Sequence, residues 1–166
     1  MQVLFSHGQE SGPWGTKIQR LARTATALGW QVDSIDYRDL PDPDARSERL
    51  LQRLGKTDAG STVLLGSSMG GYVTLQAAAR QAVLGSFVLA PAIYMPGYEH
   101  KAPQHTLANL AIVHGYADDI IPVEHSMRFA QAQRCTLHLV NDDHRLIASL
   151  PSIDAWFASY LTQLTR

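Results

Sequence analysis

Residues 62–79 constrain this chain more than any other stretch. Val63-Leu64-Leu65 is a short, continuously apolar run that ends in Gly66-Ser67-Ser68-Met69-Gly70-Gly71. An alanine-rich helical stretch with Val73, Leu75, Ala77, Ala78 and Ala79 begins at once. The pattern predicts a buried strand, a sharp turn and a helix. Within Gly66-x-Ser68-x-Gly70 the glycines lie two residues either side of the serine. A serine held in a strained conformation at a strand tip needs them there, because side chains would collide across the turn. Ser68 is therefore the candidate nucleophile, and Ser67 is expected to point back into the packing.

The rest of the chain alternates between the two periodicities. Strands are predicted over 3–5, 31–35, 86–90, 111–114 and 134–140, and helices over 15–28, 44–54, 123–132 and 152–164. Ile18, Leu21, Ala22, Ala25 and Leu28 share one helical face, and Gly29 suits the stop. Such alternation implies a mainly parallel sheet of about six strands covered on both faces, a three-layer α/β/α architecture. With no repeat, low-complexity tract or linker in sight, one domain over 1–166 is expected. In such sheets the ligand crevice lies at the carboxyl ends of the strands. The polar residues gather there: His7-Gly8-Gln9, Ser68, Asp118 and His144 each follow an apolar run.

Composition bounds the partners. A chain of 166 residues, 45% hydrophobic and 17% charged, has core enough to fold without staples. A net charge of -1 with scattered Lys and Arg gives no footprint for nucleic acid or an anionic membrane, so neither is expected as a partner. The one cysteine, Cys135, has no internal partner and falls in a strand-like run, which predicts a small buried hydrophobe. The first residues lack a basic start and a long apolar stretch, and the apolar region 83–96 is broken by Gly85, Ser86 and Pro91. The expectation is a cytoplasmic protein with no span.

Serine alone is a poor nucleophile at neutral pH and needs a base and a group to orient that base. His144, in the loop Asn141-Asp142-Asp143-His144-Arg145 after the last strand, is the best-placed base; the other six histidines fall in strands, helix starts, turns or the long loop. The turn His114-Gly115-Tyr116-Ala117-Asp118-Asp119-Ile120-Ile121-Pro122 offers Asp118 or Asp119 as the orienting acid, with Asp142 and Asp143 weaker. An oxyanion hole needs backbone N–H groups aimed where negative charge develops. Met69 supplies one from the helix start, and Gly8 allows the close approach that makes Gln9 the second.

Together the Gly66-x-Ser68-x-Gly70 turn, His7-Gly8 after the first strand, Gly115-x-x-Asp118-x-x-Ile121-Pro122 and the late His144 resemble the α/β-hydrolase family. The order Ser, Asp, His agrees with that family, and the resemblance spans essentially the whole chain. It implies a catalytic triad with nucleophile Ser68, acid Asp118 and base His144, and oxyanion donors Gln9 and Met69. The distance from Gly115 is what favours Asp118 over Asp119.

The resemblance also marks departures. Two strands that usually precede the His-Gly loop are not present, which predicts a trimmed sheet, and residues 91–109 form a loop where the family often inserts a helical lid. An open site is expected, with Trp14, Tyr94, Met95, Tyr98 and Ile120 as candidate substrate-binding residues. The implied substrate is a small-molecule carboxylic ester or thioester, which Arg38 or Lys101 could meet if charged; the alternative is a non-catalytic binding or interaction protein on the same scaffold, against which the intact Ser68, Asp118 and His144 argue. No metal and no organic cofactor are implied, because zinc-ligand, phosphate-loop and dinucleotide spacings do not occur. Oligomeric state is not legible.

Overall fold

The computed structural model describes residues 1–166. Six parallel strands form one sheet in the order β2-β1-β3-β4-β5-β6, with β1 at Gln2–Ser6, β2 at Gln31–Ile35, β3 at Thr62–Ser67, β4 at Gly85–Leu89, β5 at Leu110–Gly115 and β6 at Thr136–Val140. Five helices flank it: α1 at Thr16–Ala27, α2 at Pro43–Leu54, α3 at Met69–Arg80, α4 at Val123–Gln133 and α5 at Leu150–Gln163. No helix is long and apolar enough to cross a membrane.

The continuous apolar runs of the central strands follow from burial on both faces. Along β3, Leu64 joins Leu50, Val73 and Phe129 in the layer beneath α2, α3 and α4, while Val63 and Leu65 join Ile18, Leu21 and Phe157 beneath α1 and α5. The same period-two division runs through β1, where Leu4 goes one way and Val3 and Phe5 the other. The chain steps from β1 to β2 in one direction and then returns to place β3 on the other side of β1. That reversal opens a crevice at the carboxyl ends of β1 and β3.

Most predicted boundaries lie within two residues of those observed. The strand expected from residue 134 begins instead at Thr136, because Arg134 adopts a left-handed conformation (φ 54°) that closes α4. Cys135 is only partly buried and packs against the edge of the α4 layer, so the expectation of full burial is corrected. Burial still raises its thiol to about 11, which leaves it protonated and unreactive. Between β4 and β5 no helix interrupts the loop, and there is no lid domain.

Candidate active site

The turn from β3 into α3 places Ser68 at the crevice with φ 56° and ψ −119°, outside the helical and extended regions. Two close approaches make that turn possible. A Cβ on Gly66 would run into the Gly70 carbonyl, and one on Gly70 into the Ser6 carbonyl of β1. Only glycine lets the helix start sit so tightly against the strands, and the strained serine is thereby raised above the sheet.

Three side chains predicted from sequence meet here. Ser68 Oγ lies 2.9 Å from His144 Nε2, and His144 Nδ1 lies 2.7 Å from Asp118 Oδ2. The imidazole of His144 is 18% exposed and the carboxylate of Asp118 is fully buried. Asp118 Oδ1 accepts the backbone N–H groups of Ile120 at 2.9 Å and Ile121 at 2.8 Å, which fixes the carboxylate plane. Burial pushes the Asp118 carboxyl upward, but the His144 hydrogen bond and the two amides outweigh it and hold the group ionised. Of the other candidate aspartates, Asp119 is exposed, while Asp142 accepts the amides of Asp143 and Ser149 and Asp143 that of Arg145, as turn formers do.

The first loop packs against this centre. A Cβ on Gly8 would stand 3.6 Å from Ser68 Cβ, in ordinary contact. Neither the Gln9 nor the Met69 N–H donates to an acceptor within the protein. Nearby, burial together with Arg145 lowers the ammonium of Lys17 to about 8, against the pull of Asp143, Asp118 and Asp142.

Of the candidate substrate-binding residues, Trp14 and Ile120 are exposed, at 45% and 57%. Tyr94, Met95 and Tyr98 are partly buried against the α3 and α4 layer: Tyr98 stands edge-on to Tyr72, and Tyr94 packs against His125 with the Arg128 guanidinium over its face. Their loop leaves the centre from Ala92, whose N–H donates to the Ser68 carbonyl. The two cations proposed for a charged substrate have local partners, Arg38 pairing with Asp36 and Lys101 donating to the Met95 carbonyl. Two cavities of about 380 and 370 Å³ lie elsewhere, one at the opposite ends of the strands beside Trp156 and Tyr160, the other beside Asp44 and Gln76.

The hydrogen-bonding roles of two histidines are not legible in the sequence, although His7 belongs to the His7-Gly8 motif. His7, 1% exposed, accepts the Tyr37 N–H on Nε2 at 2.9 Å and donates Nδ1–H to the Gly8 carbonyl at 2.7 Å. His114, fully buried on β5, reaches Asp118 Oδ2 at 2.9 Å. Burial lowers the pKa of both rings. His7 meets loop backbone groups and His114 meets Asp118, the Ile121 carbonyl and Ser126 on α4, partners brought together by the fold, so spacing carried no signal beyond the strand-end position of each.

The fold has relatives. Residues 3–164 match the family model for the alpha/beta hydrolase family. A crystal structure from Xanthomonas campestris pv. campestris, described as of the alpha/beta superfamily, is 32% identical with a TM-score of 0.88, covering 98% of each chain. The Butyrivibrio proteoclasticus protein Est1E shares the fold at 17% identity and TM-score 0.82, over 99% of this chain and 88% of its own. The ydeN gene product of B. subtilis does so at 22% and 0.75, over 97% and 98%. No curated protein matches the chain. With its six parallel strands, its sharp serine turn and a family match along nearly its full length, the chain belongs to the alpha/beta hydrolase family.

Proposed function

We propose that this hydrolase is a serine esterase or thioesterase that cleaves small or medium acyl groups through an acyl-enzyme on Ser68. The observation that carries the reading is the unbroken chain from Ser68 Oγ to His144 at 2.9 Å and on to Asp118 at 2.7 Å. With Asp118 ionised, the His144 proton sits on Nδ1, and Nε2 is left to accept from the serine hydroxyl.

Ser68 attacks the substrate carbonyl as His144 takes its proton. The tetrahedral oxyanion is received by the Gln9 and Met69 N–H groups, which have no acceptor within the protein. His144 then gives the proton to the leaving alcohol or thiol. Water, deprotonated by the same imidazole, attacks the acyl-enzyme, and the carboxylic acid departs as Ser68 recovers its proton. Asp118 holds the ring and stabilises the imidazolium as it forms. No step calls on a metal or an organic cofactor. The lid-free loop carrying Tyr94, Met95 and Tyr98, with the exposed Trp14 and Ile120, supplies the rim for the acyl group.

A series of p-nitrophenyl esters from acetate to laurate tests the reading. The expected result is hydrolysis favouring the short and middle members and lost in Ser68→Ala. Hydrolysis unchanged in that variant would contradict it.

A further inference from the structure

Arg46 on α2 brings a positive charge into the interior with no carboxylate opposite it. The residue is 3% exposed and belongs to none of the ion pairs of the chain. An uncompensated buried cation is costly, so its surroundings should give a reason for keeping it. The guanidinium faces carbonyls: Nε donates to Leu40 at 2.6 Å, and Nη1 to Gly8 at 3.3 Å and His7 at 3.4 Å. Its central carbon lies 5.4 Å from the Tyr37 ring centroid.

The Gly8 carbonyl thus takes two donors, Arg46 Nη1 and His7 Nδ1. Because His7 Nε2 accepts from Tyr37, the proton of the neutral ring is on Nδ1, and the second bond is a donation. All peptide bonds are trans, and in a trans amide the C=O and N–H point in opposite directions. The amide whose oxygen is drawn toward Arg46 and His7 is the one whose hydrogen belongs to Gln9. Gly8 lies beside the nucleophile, close enough that a Cβ on it would touch Ser68 Cβ at 3.6 Å, and the Gln9 hydrogen has no acceptor in the protein.

We infer that Arg46 is a positioning residue of the oxyanion site, holding the Gly8–Gln9 amide with its N–H toward the developing charge and polarising it into a stronger donor. The inference rests on reading Ser68 as the nucleophile. Hydrogen-bonded groups polarise one another in a low-dielectric interior. A fixed donor matters most where charge develops in the transition state, so loss of Arg46 falls on kcat and leaves KM nearly alone.

The test uses the full chain with Arg46→Met and Arg46→Lys beside wild type and Ser68→Ala, on one p-nitrophenyl ester. Each is also titrated with an alkyl boronic acid, whose serine adduct carries the tetrahedral negative charge. Arg46→Met is expected to lower kcat about tenfold or more, with KM within about twofold and boronate affinity falling in parallel. Arg46→Lys keeps the charge and recovers part of both. A structural defect alone would reduce the folded fraction and leave boronate affinity of the folded molecules intact; that result, or an unchanged kcat, overturns the inference. Should Arg46→Met not fold, Arg46→Lys is compared with Arg46→Gln: better boronate binding by the lysine variant supports the inference, and equal binding overturns it. An inert wild type, or an active Ser68→Ala, fails the nucleophile reading itself and removes this inference with it.

Discussion

His114 Nε2 lies 2.9 Å from Asp118 Oδ2, the same oxygen that faces His144 Nδ1 at 2.7 Å. One carboxylate oxygen therefore takes two imidazole donors. His114 Nε2 also lies 3.0 Å from the Ile121 carbonyl, which can only accept, so that nitrogen carries the proton and Nδ1 accepts from the Ser126 hydroxyl at 2.7 Å. The ring ties β5, the acid turn and α4 together at the point where Asp118 must be held.

Replacing that ring exposes its share of the stability. His114→Leu leaves the Ser126 hydroxyl and one lone pair of a buried carboxylate without their partner, at a cost of about 1–3 kcal/mol. His114→Gln, which can still donate an N–H, should lose less. Urea unfolding midpoints measure both; a leucine variant as stable as wild type would rule out this role.

Asp118→Asn presents an amide where two N–H donors converge, and it disfavours the Nδ1–H tautomer of His144. A fall of about 10⁴-fold in kcat with little change in fold is expected. Steady-state ester hydrolysis with circular dichroism checks it. Near-normal turnover in the variant would assign the acid role elsewhere.

Stability should fall on mild acidification. His7, His114 and His138 have pKa values lowered by burial from the ordinary 6.5, so below that pH the unfolded chain binds more protons than the folded one. The free energy of unfolding then rises with pH and is lost as pH drops below about 6.5. Asp118, held below its ordinary 3.8, adds stability that disappears only at still lower pH. A urea midpoint lower at pH 5.5 than at 7.5 is the expected outcome; a flat or inverse dependence contradicts it.

Gly70→Ala should be among the least tolerated changes. Its Cβ would collide with the backbone carbonyls of Ser6 and His7, which have no flexible end to move aside. Overpacking of this kind costs about 1–3 kcal/mol, and more where backbone must shift. Soluble yield and thermal midpoint report it, and wild-type values for both would show that the turn has slack.

The sequence made the centre of this site legible because its groups are punctuated by local chemistry. Ser68 sits between glycines, Asp118 in a turn counted from Gly115, and His144 beyond the last apolar run. Strand order was not legible, since periodicity says which face a residue takes and nothing of which strand is its neighbour. The roles of His7, His114 and Arg46 stayed hidden for a related reason. Their partners include backbone groups of Tyr37, Ile121, Leu40 and Gly8 and the Ser126 hydroxyl on α4, groups that only the fold brings together. Nothing in the local sequence marks Arg46, and its burial is set by the chain folding over it. The rim carried no comparable signal: aromatic side chains suit a pocket and a core equally well, and Tyr98 packs edge-on to Tyr72.

The central claim is that Ser68 is an activated nucleophile, and a fluorophosphonate probe addresses it most directly. Purified wild type should be labelled covalently on Ser68, with labelling abolished in Ser68→Ala and strongly slowed in His144→Ala. Properly folded wild type that takes up no probe, or label that persists in Ser68→Ala, would contradict the account and favour a binding protein on a hydrolase scaffold.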